Sequence, residues 1–540
     1  MRSKIFILVL TLLLASFLRL WRLGDYPALN ADEAAIGYNA LSLIETRHDE
    51  HGNYWPIHFQ SFNDYKPGLI FYLVLPVVKI FGLSVLSVRT LPAILGVASV
   101  LAIWFLVKEM FPKKEWLPEA SALFLAISPW HIHFSRGAWE ANVATFFVIA
   151  GVYSFIKASS YFKYYYLSVF MFVLSLYTYH SARVVVPILV VGLLVFNFSE
   201  IIKKKREFIL PAMFGLILLM PLALDFSRGQ VLSRASGVGL FADLGPLNRI
   251  NEQRGEHAHP DGPGARLLHN RIGGYGMALL QNWADHFSGE FLFLSGDEIE
   301  RNKVPGIGQM LTYAVVTLPL GAILMIREFE KSWKIVLLWL AAAPVAAALT
   351  FQSPHALRAQ SMVIPLTIIS AYGFVGVIQL VKQSGISKYL RHLSYIALLI
   401  IVVGSFMRYE KKYWLDMARE LPFSSQYGVS ELVSYMKDNS DKYDRVLITD
   451  RYDQPYVLFL FYLKYPPLKF QAEHDLTPRD QFGFSTVESF GKYEFGRVKY
   501  QEDRDGRVLM AGTDEEIPNE ANVIFKVVDN KYKYFEIVEK

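Results

Sequence analysis

The residues with the clearest chemical content are an adjacent pair of carboxylates, Asp32 and Glu33, and cations at the ends of apolar segments: Lys66, Arg89, Arg136, Arg183 and Arg358. A carboxylate can take a proton as a general base, and ammonium or guanidinium groups can hold an anion through charge-assisted hydrogen bonds. A simpler reading competes. Residues 32–45, DEAAIGYNALSLIE, have the pattern of a short amphipathic helix. Asn30 suits its N-cap, and both acids then fall in the first turn, where the helix dipole favours negative charge. Neighbours on a helix diverge by about 100°, so Asp32 and Glu33 cannot address one atom equally. What decides is whether the remaining elements put a catalytic carboxylate against a membrane.

Composition points to a membrane. Hydrophobic residues make up 53% of the 540 and aromatic residues 15%, and the mean hydropathy is +0.27. This fits a polytopic membrane protein better than a soluble chain. A net charge of +5 reflects loop bias and does not indicate a nucleic-acid partner. The absence of cysteine excludes disulfides, thiolate metal sites and cysteine nucleophiles. The start, MRSKIFILVLTLLLASFLRLW, has features of a signal peptide, but its apolar character continues to Leu20 and Trp21 supplies an interfacial anchor. It therefore reads as an uncleaved first span.

Further apolar segments lie at about 88–107, 119–135, 139–156, 164–180, 184–198, 207–225, 307–326, 334–350, 359–381 and 392–407. Each is close to the roughly 17–25 residues that cross a bilayer as a helix. Segment 67–82, with Pro76 and Lys79, reads as a juxtamembrane or re-entrant helix. With that choice the strongly basic short loops all fall on the cytoplasmic face: Lys108, Lys113 and Lys114; Lys157 and Lys163; KKKR at 203–206; Arg327, Lys331 and Lys334; Lys382, Lys388 and Arg391. This satisfies the positive-inside rule and predicts about eleven spans.

The outer side then holds loop 21–87, the corners SRGAW at 135–139 and YHSAR at 179–183, loop 226–306, QSPHALR at 352–358, and the C-terminal tail. Ionisable residues are nearly missing from the span interiors, whereas Arg136, Glu140, Arg183, Asp225 and Arg358 sit at outer ends. A mid-bilayer charge usually marks an ion path, so the pattern favours chemistry at the outer interface over ion-coupled transport. In the tail, SELVSYMKDNS reads as a helix and RVLITD, NVIFKVVD and KYFEIVEK as strands. The expected division is a transmembrane domain, 1–407, and a small extracytoplasmic α/β domain, 408–540.

The order of these features resembles a known family. A first span is followed by Asp-Glu on a short outer helix, then DYKPGLIFYL, FGLSVLSVRTLPAILG, a basic loop, and ALFLAISPWHIHFSRGAWEANVATFF. Over about residues 1–200 this is similar to the membrane glycosyltransferases of the GT-C fold, family 39, which include protein O-mannosyltransferases and lipid A aminoarabinose transferases. The resemblance implies an α-helical polytopic membrane protein of the cell membrane, with juxtamembrane helices and its active site outside. It also implies a polyprenyl-phosphate sugar as donor, and a hydroxyl on a protein, lipid or envelope glycan as acceptor. Such a donor is already activated, so the enzyme must take the acceptor's proton and hold the phosphate's charge.

By the same resemblance Asp32 is the catalytic base and Glu33 an orienting or acceptor-binding residue. Lys66, before Pro67, is the donor-phosphate ligand. Arg89 in SVRTLP matches an important arginine, and its place near a helix start calls for a specific acidic partner such as Asp32 or Glu33. Arg136, Arg183, Arg358 and His131 are further substrate-binding candidates, with His133 and Glu140 beside them; Arg358 ranks second to Lys66 for phosphate. His257, His259 and Asp261 have metal-ligand spacing, but their Gly- and Pro-rich stretch reads as a loop, and no cofactor is assigned. Two alternatives stand beside the transferase reading: a transferase using a lipid-pyrophosphate oligosaccharide, and a flippase of polyprenyl-linked glycans. The topology is directly testable in this cysteine-free chain. Single cysteines at Lys79 and Lys113 should label with an impermeant thiol reagent from opposite faces of the membrane.

Overall fold

In hydrocarbon every backbone polar group must be satisfied within its own segment, so the apolar stretches fold as helices. The computed structural model describes residues 2–62, 64–227, 239–329, 332–478, 485–502, 505–529 and 532–540. Lys331 of the basic loop and residues 228–238 of loop 226–306 lie outside them. Among the described residues, six helices are long and apolar enough to cross a membrane: Arg2–Leu20, Val85–Met110, Glu140–Ala158, Lys205–Ser227, Gln360–Gln383 and Lys388–Glu420. Shorter apolar helices occupy Leu69–Phe81, Leu117–Ala126, Tyr164–Thr178, Ala182–Phe196, Ala314–Arg327 and Trp333–Ala348.

Two expected continuous spans are interrupted. Segment 119–135 divides into Leu117–Ala126 and Pro129–Ser135, and segment 334–350 into Trp333–Ala342 and Val345–Ala348. Both breaks fall at a proline, Pro129 or Pro344, whose ring removes a helical N–H donor and disfavours helix in the residue before it.

The chain divides into two compact units: Met1–Leu18, Gly96–Phe134 and Ala141–Glu410 form the first, and Arg19–Leu95, Ser135–Glu140 and Lys411–Lys540 the second. In the first unit, helix Ala314–Arg327 packs backbone to backbone on helix Val363–Gln383. A Cβ on Gly373 would lie 1.9 Å from the Thr317 carbonyl oxygen, and one on Gly321 1.9 Å from that of Ile369. Thr317 and Ser370 join their hydroxyls across the seam at 2.6 Å. Small residues that let backbones meet, with hydroxyl pairs between them, are how helices associate where lipid removes the hydrophobic drive.

The second unit contains the C-terminal domain together with the chain after the first helix. A hairpin of strands β1 (His58–Ser61) and β2 (Asp64–Pro67) precedes helix Leu69–Phe81. Strands β3 (Arg445–Ile448), β4 (Asp475–Leu476), β5 (Val487–Phe490), β6 (Tyr493–Phe495), β7 (Val508–Gly512), β8 (Val523–Asp529) and β9 (Tyr532–Glu539) form one mixed sheet. Its order is β4-β5-β6-β3-β7-β9-β8, and β3 runs parallel to both its neighbours. Helix Val429–Asn439 and strands β3, β8 and β9 are those expected from the sequence. Helix Pro455–Leu463 was not expected: PYVLFLFYL is apolar throughout and carries no helical periodicity. Its burial on all sides explains why.

Candidate active site

The first turn of helix Ala31–Thr46 organises the site. Asn30 adopts extended backbone geometry and its side chain accepts the Glu33 N–H at 3.0 Å; Glu33 returns a bond from its carboxylate to the Asn30 N–H at 3.2 Å. This reciprocal capping box satisfies donors that a helix start leaves open. The two acids then separate by environment. The Glu33 side chain is 1% exposed and the Asp32 side chain 20%, so Asp32 keeps part of its surface open while Glu33 is enclosed.

Glu33 is the centre of a buried network. Arg89 grips it bidentately, Nε to Oε1 at 2.7 Å and Nη2 to Oε2 at 2.6 Å. The Ala138 N–H of the SRGAW corner donates to Oε1 at 2.9 Å. Arg89 spends its remaining N–H groups on the carbonyls of Leu23 (3.2 Å), Pro27 (2.7 Å) and Ala28 (2.9 Å). All five guanidinium donors therefore have acceptors within the protein. Arg136, also fully buried, donates from Nε to the Tyr413 hydroxyl at 3.0 Å and from Nη2 to the carbonyls of Trp21 and Tyr26, both at 2.8 Å. Its guanidinium lies 4.9 Å from the Trp414 ring centroid, within range for cation–π attraction.

Lys66 pairs directly with Asp32. It projects from β2, opposite Phe59 in the hairpin register, and its ammonium sits 4.5 Å from the Phe62 ring centroid. Behind it lies Glu50, a fully buried carboxyl. Burial, reinforced by the charge of Asp49, pushes its pKa up to about 8, and Lys66 pulls the other way. Burial lowers the neighbouring His51 to about 3, with its Nε2 3.6 Å from Glu50 Oε1.

His131, Arg183 and Arg358 belong to the first unit. His131 is fully buried, its backbone N–H directed to Ser128 Oγ at 3.4 Å. His133, in the same short helix, contacts the Arg301 carbonyl at 2.9 Å. Arg183 donates to the Leu176 carbonyl at 3.0 Å and lies over the Phe226 ring. Arg358 donates to Thr350 Oγ1 at 2.7 Å. With Ser181, Gln360 and Ser361 it lines a cavity of about 20 Å³, space for one water and too little for a sugar. His257 meets His269 (Nε2 to Nε2, 3.0 Å) and Asp261 meets Arg266 at 3.2 Å. Among the described residues no three His, Asp or Glu side chains are placed to hold a metal ion.

Residues 65–224 match the family model described as dolichyl-phosphate-mannose-protein mannosyltransferase. ArnT from Cupriavidus metallidurans in the apo state superposes over 100% of this chain and 98% of its own, at 11% identity and a TM-score of 0.52. The chain has the GT-C fold. ArnT bound to undecaprenyl phosphate gives the same score over 99% of this chain and 98% of that one, at 11% identity. The apo oligosaccharyltransferase of Archaeoglobus fulgidus matches 85% of the chain at 12% identity, with a TM-score of 0.52. This GT-C chain spans only 63% of that enzyme's length. No curated protein matches the chain in sequence.

Reading the sequence of this GT-C protein alone misses Gln426, whose Oε1 accepts the Ala31 N–H at 2.6 Å, and also Tyr413, Trp414, Phe62 and Glu50. The capping box had a local signal, Asn30 followed three residues later by Glu33; Phe62 meets Lys66 only across the hairpin turn, and Gln426, Tyr413 and Trp414 meet the site across distant segments. The Glu33–Arg89 pair yields a stability prediction. Glu33→Gln leaves the Arg89 charge buried without its counter-ion and should destabilise the protein by about 3–5 kcal/mol. Thermal unfolding of the purified variant in detergent should show a clearly lowered midpoint, and Arg89→Lys, which loses the planar fork, should be similarly unstable.

Proposed function

We propose that the protein is an integral membrane glycosyltransferase that moves a sugar from a polyprenyl-phosphate donor to an acceptor hydroxyl on the extracytoplasmic side. The observation that carries this reading is the division of the acid pair: Glu33 is enclosed by Arg89, Asn30 and Ala138, while Asp32 stays partly exposed against the Lys66 ammonium. The mannosyltransferase family model over 65–224 and the fold shared with ArnT support it.

In this reading Asp32 accepts the acceptor's proton as the hydroxyl oxygen attacks the anomeric carbon. The bond from that carbon to the phosphate oxygen breaks, and its electron pair leaves with the lipid phosphate. Lys66 hydrogen-bonds the departing phosphate and neutralises the developing charge. Arg89, with all five donors committed to the protein, and Arg136, bound through Nε and Nη2, hold the loops around the site. Arg183, Arg358 and His131 stay as substrate-binding candidates on the family expectation alone, and the reading leaves the sugar and the acceptor open.

Detergent-purified protein given a polyprenyl-phosphate sugar should form glycosylated product without a membrane to cross; a flippase would form none. Asp32→Asn should lower turnover by roughly 10²–10⁴ and leave donor binding in place. Lys66→Met keeps the apolar stem and deletes the charge, so it should weaken donor binding and turnover together by roughly tenfold or more. Near-normal turnover in Asp32→Asn would return that residue to a helix-cap role.

A further inference from the structure

The segment between the apolar helices Lys205–Ser227 and Ala314–Arg327 turns an apolar surface outward. Helix Arg271–Asp285 places Ile272, Gly276, Leu280 and Ala284 four residues apart, with Met277 beside them. Residues at that spacing form one stripe along a helix. On a soluble protein such a stripe faces the core. Here Ile272 is 88% exposed, and Met277 and Leu280 are exposed with it. The opposite face is the one that packs. A Cβ on Gly274 would lie 2.5 Å from Ile250 Cδ1 of helix Gly245–Gly255, and the Tyr275 hydroxyl donates to the Asp243 carbonyl at 3.1 Å. Phe241, Leu244 and Leu268 add to the exposed apolar surface.

Hydrogen bonds fix the level at which this surface lies. Both ends of the segment are tied to residues 348–353, which lie between the apolar helix Trp333–Ala348 and the long apolar helix Gln360–Gln383. At one end the Leu240 N–H donates to the Leu349 carbonyl at 2.8 Å. At the other, the Asn282 amide donates to the Ala348 and Thr350 carbonyls at 3.2 and 3.0 Å, and Ser353 Oγ donates to the Asn282 carbonyl at 2.9 Å. The Trp283 indole N–H reaches the Ala341 carbonyl at 2.8 Å. A short connection between two apolar helices lies where the chain leaves hydrocarbon, and the amphipathic ring of tryptophan suits that layer. Beside the tether is a cavity of about 530 Å³, whose walls include Leu240, Phe241, Leu244, Ile272, Leu349 and the charged Arg271. Apolar walls offer water few partners.

We propose that residues 240–285 form a lipid-binding element lying in the bilayer interface, with the stripe of helix Arg271–Asp285 and the adjoining cavity covered by phospholipid acyl chains. A helix with one apolar face and one polar face lies in the plane of that interface with the apolar face in the acyl boundary. Lipid is the occupant because the surface is continuous with the end of an apolar helix. Leu349, which directly follows helix Trp333–Ala348, is itself exposed and walls the same cavity. A leaflet that covers the helix end covers the stripe as well.

The chain has no cysteine, so Ile272→Cys, Leu280→Cys and Glu252→Cys each carry one nitroxide in the full protein, reconstituted in phosphatidylcholine nanodiscs. The labels at 272 and 280 should be relaxed by oxygen, which concentrates in hydrocarbon, and should lose relaxation by a water-soluble nickel chelate. The label at 252, on an exposed polar position, should show the reverse. Unlabelled protein in nanodiscs that hold a phosphatidylcholine with a photoactivatable acyl chain should take adducts within the tryptic peptide 272–301. The double variant Ile272→Asn, Leu280→Asn should lose most of that yield. Nickel access at 272 and 280 equal to that at 252, no adduct within 272–301, or an unchanged yield in the double variant would each overturn the proposal. So would shielding of both labels from oxygen and nickel alike with dipolar broadening between chains, the mark of a second copy seated on the stripe.

Discussion

A helix that starts inside a protein must find acceptors for N–H groups its own turns cannot satisfy. The rest of the second unit follows from how helix Ala31–Thr46 meets that demand beside two carboxylates. Glu33, third in the helix, folds back on Asn30 and becomes part of the cap. That placement buries a negative charge, which would be costly alone. Arg89 and the Ala138 N–H compensate it, and in doing so they tie the start of helix Val85–Met110 and the SRGAW corner to the same point. Asp32, about 100° round the helix, pairs with Lys66 and keeps part of its surface exposed. In the proposed reading one acid serves the fold and the other the chemistry.

The cations divide in the same way, and the chemistry of their head groups explains the division. A guanidinium is a rigid fork that can be satisfied completely by fixed carbonyls and a carboxylate, as Arg89 is. Arg136 is held likewise, between carbonyls, a phenol and an indole. Both close the loops between residues 19 and 30 onto the unit. An ammonium on a flexible stem commits itself less. Lys66 pairs with Asp32 and lies over the Phe62 ring, and its three donors can turn toward a new anion without dismantling a cage.

Much of this was legible in the sequence. Asn30 as N-cap, the acids in the first turn and Arg89 with an acidic partner all follow from local rules, because capping and the helix dipole act within one turn. The apolar segments are legible for a similar reason: hydrocarbon forces each to be self-sufficient. The breaks at Pro129 and Pro344 were signalled by residue type but hidden by the hydropathy of the surrounding run. The C-terminal contacts could not be read. Gln426, Phe461, Tyr465 and Gln471 have no pattern that marks them as partners of a helix some four hundred residues earlier. Such contacts depend on the way β3 and helix Pro455–Leu463 are folded together, and no rule acting over a few residues reaches that far.

Charge bookkeeping in the proposed reaction shows why a single mobile ammonium suffices. Before transfer the site holds the Asp32 carboxylate, the Lys66 ammonium and a phosphodiester monoanion. After transfer it holds a protonated Asp32, the same ammonium and a phosphate monoester dianion. The net charge does not change; one negative charge moves from the aspartate to the phosphate. The resting Asp32–Lys66 pair is therefore a starting arrangement, since the bonds of Lys66 to Asp32 weaken as the proton arrives and those to phosphate strengthen as the lipid departs. Interactions that grow along the reaction lower its barrier, whereas equal binding throughout raises only affinity. A second fixed cation aimed at the carboxylate would hold the charge where it began. The enclosure of Arg89 and Arg136 by protein acceptors keeps both from competing for Asp32, which leaves the shift of charge to Lys66.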